Sequence, residues 1–181
     1  FDFEGLGTAR AIGRNLGRRS RNRCGSGSEP WQSRDAVSGT YGLERVDNYE
    51  QQLTALRYST TAYRVGEDDP FHEELGYWLW DANEGQVLRC FLVPRGVTIL
   101  AGGGVEATAE SFSIRAEVRS ATYGISSNLF LDREFKTVRY DLIVTIVDAN
   151  TFRYEEDTQL LLKGLSDPFH HLDSNTLSRV S

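Results

Sequence analysis

Between about residues 41 and 163 apolar and polar positions alternate in short runs, and the runs are separated by turn-forming residues. In 111–119 (SFSIRAEVR), Phe112, Ile114, Ala116 and Val118 fall on one face. In 135–147, Tyr140, Leu142, Val144 and Ile146 do the same. A period of two is the signature of a half-buried β-strand. Residues 75–81 (LGYWLWD) and 86–93 (QVLRCFLV) are rich in aromatic and branched side chains, and Asn83-Glu84-Gly85 between them is a hairpin turn. Trp78 and Trp80 share one face of that strand, and Tyr77 and Leu79 share the other. Pro94-Arg95-Gly96 turns the chain into 97–101, and Asp148-Ala149-Asn150 turns it into 151–162. Residues 50–63 are long enough for a helix, but their Thr and Tyr content favours a strand. Gly102-Gly103-Gly104 reads as a break, and 120–134 leaves room for a longer loop or one helical turn.

This makes about eight strands joined mostly by short turns, without the strand–helix alternation of a parallel sheet. A meander of that length removes its edges best by closing, so the expected fold is all-β, a closed antiparallel up-and-down barrel of roughly 8–10 strands. A two-sheet sandwich is the architectural alternative. The 181 residues suit one domain. Residues 7–40 show no sustained apolar period, and 13–30, rich in Arg, Gly and Ser, is expected to be the least regular segment.

Composition narrows the partners. A net charge of -6 argues against nucleic acid, which needs a basic face. The arginines at 14, 18, 19, 21 and 23 lack interleaved aromatics and read as a solvated loop. No apolar run reaches the roughly 18 residues that span a bilayer, so no membrane partner is expected. Cys24 and Cys90 read as free thiols, consistent with a reducing, cytoplasmic setting. A small-molecule ligand in the lumen is the partner the fold implies, with a homodimer left open.

Candidate chemistry is sparse. No phosphate loop, dinucleotide fingerprint, nucleophile elbow or Cys-x-x-Cys is present. The three histidines are His72, which opens the aromatic strand, and His170 and His171, beyond the last clear strand. Imidazole binds metals and haem iron well, and a lumen lined by Trp78, Trp80, Phe91 and Tyr140 suits a flat apolar macrocycle. An equal alternative is that His170 serves as a hydrogen-bonding group at the barrel rim. Alternation puts Phe169, His171 and Leu177 on one face and His170 and Leu172 on the other. In the run 155–157, Glu156 faces opposite to Glu155 and Asp157; whichever points inward needs a partner such as Arg57, Arg89 or Arg139.

Specific strings add a family resemblance. His72-Glu73-Glu74-Leu75-Gly76-Tyr77-Trp78, then Val93-Pro94-Arg95-Gly96-Val97, then Phe169-His170-His171-Leu172 with Leu177, Arg179 and Val180, resemble the nitrobindins. The resemblance covers about residues 43–180. It implies a haem-binding barrel with a lipocalin-like or fatty-acid-binding-protein-like shape, holding haem b in a shallow site. By that likeness His171 ligates the iron and His72 lies across the pocket in a catalytic role. His170, Trp78 and Trp80 are further candidates for contact with the cofactor. The implied activity is nitric oxide binding, isomerisation of peroxynitrite to nitrate, or both. Two other readings stand beside it: a haem-free carrier or sensor of an apolar molecule, and an enzyme acting on a lumen-bound substrate through His72 and Glu156.

Overall fold

A computed structural model describes residues 9–13, 37–46 and 53–179. Eleven strands and one short helix make up these residues. The strands are β1 (Ala9–Gly13), β2 (Val37–Val46), β3 (Leu53–Arg64), β4 (His72–Asp81), β5 (Gln86–Val93) and β6 (Val97–Gly104). They continue with β7 (Ser111–Val118), β8 (Gly124–Ser127), β9 (Phe135–Asp148), β10 (Thr151–Leu162) and β11 (Phe169–Arg179). The helix α1 (Leu129–Glu134) precedes β9. The sheet closes because β1 pairs with both β2 and β11. Pairing is antiparallel and sequential, with one exception: β8 is wedged beside β6 and pairs in parallel with β7.

The barrel expected from alternation is therefore present, with several differences. β1 and β2 lie in or extend into the stretch read as lacking period, and β11 is a full strand where none was assigned. Most of the Arg-rich segment, 14–30, lies outside the described residues. Gly102-Gly103-Gly104 does not break β6 but extends it. A Cβ on Gly102 would stand 2.3 Å from the Tyr123 ring, and one on Gly103 would stand 2.2 Å from the Ser113 carbonyl oxygen. These glycines let β7 and Tyr123 approach where any side chain would collide. The loop 120–134 holds β8 as well as the one turn of helix. The Asn128 side chain caps α1 by accepting from Leu131 N, and its amide donates to the Arg95 carbonyl, which ties the helix to the β5–β6 turn. Among the described residues no helix is long and apolar enough to cross a membrane.

Alternation sorts the strands into an outer and an inner face. Leu56, Tyr58, Trp78, Val87, Phe91, Ile99, Ala101, Phe112, Ile114, Ala116, Tyr140, Leu142, Val144 and Leu177 form one buried cluster. Thr137 is buried although three residues from Tyr140, because the β9–β10 register shifts between Gln159 and Leu160. At one end Phe112 and Val144 are buried, with Trp80 and Phe152 partly buried against them. At the end where β4 and β11 begin, the inward-facing Ala62, His72, Thr158, Leu160 and Phe169 are only half-buried.

Gly76 sits on the inner face of β4, opposite Phe91. A Cβ there would lie 2.1 Å from the Cys90 carbonyl oxygen and 2.7 Å from Phe91 Cβ. Backbone cannot yield as a flexible side chain can, so Gly76→Ala is expected to cost about 1–3 kcal/mol. Urea unfolding followed by tryptophan fluorescence checks this, and an unchanged midpoint would show that β4 and β5 separate freely.

Candidate functional site

The inner faces of β3, β4, β5, β9 and β10 converge on Arg89, which is 6% exposed. Its Nε donates to Tyr58 Oη at 3.0 Å and its Nη2 to Glu74 Oε2 at 2.6 Å. Its Nη1 donates to Tyr140 Oη and, at 3.4 Å, to Glu156 Oε2. The guanidinium lies 4.5 Å from the Phe91 ring centre, 5.0 Å from that of Tyr58 and 5.4 Å from that of Trp78. Tyr58 donates to Glu74 Oε2 at 3.1 Å and Tyr140 to Glu156 Oε2 at 2.8 Å, while Thr158 Oγ1 donates to Glu156 Oε1 at 3.2 Å. Of the three arginines considered as partners for an inward acid, Arg89 takes the role. Arg57 and Arg139 pair with Glu44 and Asp141 on the outside.

The two acids on this guanidinium titrate differently. Burial pushes both upward. For Glu74 the Arg89 charge and the hydrogen bonds from His72 and Tyr58 reverse that, and the net shift is downward. Glu156 has a longer contact to Arg89 and feels the charges of Glu74 and Asp173, so it is raised to about 7. Two carboxylates thus share one cation, and Glu156 is the one that holds a proton more readily.

Above this floor stand two histidines. Parity puts His72 on the inner face with Glu74, Gly76 and Trp78, and its Nε2 lies 3.1 Å from Glu74 Oε1. Burial alone would depress its pKa, but the Glu74 hydrogen bond and the charges of Glu74 and Glu156 raise it above the ordinary value. His171 pairs with Thr158 across β10 and β11, a register that runs unshifted to Leu177 opposite Phe152. It therefore shares the inner face with the buried Leu177. The His171 ring is accessible through the half-open end yet flanked by protein. That flanking, with the charges of His72 and Arg95, outweighs Asp173 and lowers its pKa, so the ring is neutral at pH 7. His170 points outward, with Nδ1 2.8 Å from Asp157 Oδ2. The rim role considered for it is the one the geometry matches.

The structure thus brings His72 and His171 to one end of the lumen. Trp78 and Trp80 share the inner face, as alternation implied, but stand apart from that pair. Six and eight residues along a strand are roughly 20 and 26 Å. Trp78 supports Arg89 from below, donates to Tyr41 Oη at 2.5 Å and packs edge-on against Phe112. The sequence reasoning did not single out Glu74, although its position two residues from His72 signals a shared face. Tyr58 and Tyr140 carried no such signal for the hub: the Tyr58 hydroxyl reaches Arg89 past the side-chain-less Gly76 of β4, and that of Tyr140 meets it through barrel closure.

A closed barrel with an inward neutral histidine at its accessible end defines a class of lumenal binding protein. Residues 30–179 match the family described as THAP4-like, heme-binding beta-barrel domain, and the chain belongs to that family. The crystal structure of Rv2717c from M. tuberculosis is similar in fold. Its TM-score is 0.66 at 19% identity, over 99% of this chain and 94% of that one. A search of the curated proteins found no match.

The residues present fit a haem at this end. Among the described residues no side-chain hydrogen bond engages the His171 ring, and a neutral imidazole is the form that ligates iron.

The raised pKa of Glu156 makes stability depend on pH. An acid at about 7 when folded and 4.5 when free binds more protons in the native state between those values. Stability from this group is therefore present below about pH 4.5 and is lost as pH rises to about 7. The whole shift corresponds to about 3 kcal/mol. Glu156→Gln is expected to remove this slope and to be the more stable protein at pH 8. Parallel unfolding curves for the two proteins from pH 4.5 to 8 would contradict it.

Proposed function

We propose that the chain holds haem b through His171 at the accessible end of the barrel, binds nitric oxide there and isomerises peroxynitrite to nitrate. The observation that carries this reading is the placement of His171: inward, neutral and free of side-chain hydrogen bonds among the described residues, in a chain of a haem-binding barrel family. Haem, when bound, supplies a Lewis-acidic iron that takes up nitric oxide or a peroxy oxygen. The protein supplies the rest. His171 is presented by an unshifted strand pairing, so its ring direction is fixed by the sheet rather than by a loop. His72 is spoken for at Nε2 by Glu74 and lies across the pocket as a polar contact rather than as a second ligand. Inward Val93, Val97 and Phe169 would provide apolar wall beside the bound group.

Haem titration of the purified protein tests the reading. Wild type is expected to develop an intense Soret band with one equivalent. His171→Ala should abolish tight uptake, His170→Ala should leave it intact, and His72→Ala should keep haem but change the kinetics of nitric oxide release. Retention of a normal Soret band by His171→Ala with its loss in His170→Ala would refute the ligand assignment. A wild-type protein that never takes up haem would leave the carrier of an apolar small molecule as the better reading of the same lumen.

A further inference from the structure

Glu74 is 9% exposed at its side chain, and its two oxygens are unequally used. Oε2 accepts from Arg89 and from Tyr58. Oε1 has one side-chain partner among the described residues, His72 Nε2 at 3.1 Å. A carboxylate held by a guanidinium and a phenol is ionised and can only accept. His72 Nε2 must then be the protonated nitrogen, which leaves Nδ1 as the ring atom open to anything else in the pocket. Across the sheet Thr60 is paired with Glu74 and Ala62 with His72. Ala62 leaves space beside the imidazole.

We propose that Glu74 is a positioning residue that commits His72 Nε2 and turns Nδ1 into the atom that faces a small oxygen-bearing ligand. The placement of that ligand rests on the haem reading above; the state of His72 does not. With Nε2 fixed, the ring changes only at Nδ1 as it titrates. Neutral His72 accepts there and protonated His72 donates, so the site favours an anionic oxygen at lower pH. The charged groups acting on the ring are Glu74 and Glu156, which retain its proton, and Arg95, which opposes them. His171, on the facing strand, feels the His72 charge in turn.

The test uses the haem-free protein. Nitrogen-15 imidazole shifts of wild type should show the Nε2–H tautomer of His72 above its pKa, and that pKa should exceed the ordinary histidine value. Glu74→Gln keeps an acceptor but removes the charge, and should lower the His72 pKa while preserving the tautomer; Glu74→Leu should lose both. An Nδ1–H tautomer in wild type, or an unchanged pKa in a folded Glu74→Gln protein, would overturn the assignment of Glu74. If the variants do not fold, the wild-type tautomer decides alone. Failure to load haem is a separate result, because it refutes the haem reading and leaves the imidazole measurement standing.

Discussion

A guanidinium placed inside a barrel is costly to desolvate, by several kcal/mol even after relaxation. It persists only where every donor is met and the charge is balanced. Arg89 meets that demand with partners from four other strands: Tyr58 on β3, Glu74 on β4, Tyr140 on β9 and Glu156 on β10. Four aromatic rings, those of Tyr58, Trp78, Phe91 and Tyr140, surround it. Tyr58 and Glu74 come from the two strands next to β5 in the sheet, whereas Tyr140 and Glu156 come from β9 and β10 and reach Arg89 because the sheet closes. The hub is also the boundary along the barrel axis. Below it Trp78, Tyr41 and Phe112 pack the lumen; above it the inward positions stay accessible. The place left for a ligand follows from where Arg89 and its partners stop.

The two inward histidines receive opposite treatment from that arrangement. His72 has an ionised acid two residues away on its own strand and is pushed toward the charged form. His171 has no side-chain hydrogen bond among the described residues, and the His72 and Arg95 charges lie against its protonation. One end of the lumen thus holds one imidazole that retains its proton and one that releases it more readily. His170 shows how little sequence distance matters in a strand. One residue from His171, it faces outward and is absorbed by Asp157.

Alternation made most of the barrel legible, because Phe112, Ile114 and Ala116, or Tyr140, Leu142 and Val144, repeat at two with little interruption. It failed where the inner face is small or polar. β11 presents Asp173 and Asn175 inward between Phe169 and Leu177, so its apolar period is diluted. The β6 glycines carry no side chain to alternate, and their strand conformation answers to Ser113 and Tyr123 lying against them. At the site, parity alone joins Glu74 to His72 and separates His170 from His171. The choice of Arg89 over Arg57 and Arg139 required the closed sheet, because only β5 parity sends that arginine inward.

A hydrophobic plug of similar volume would hold the barrel as well as or better than a buried ion cluster. The cluster therefore has to be understood through what it presents upward. With Glu156 protonated, Arg89 and Glu74 cancel and the floor is neutral. With Glu156 ionised, the floor carries one net negative charge beneath His72. Because burial and the charges of Glu74 and Asp173 hold Glu156 at about 7, both states are within reach near neutrality. The charge under the ligand pocket is thus set by one proton on a residue that does not border it. No proton has to move for the pocket to feel that change: the guanidinium stays charged, and the Glu156 charge acts on His72 directly and on the Arg89–Glu74 pair that holds His72 Nε2.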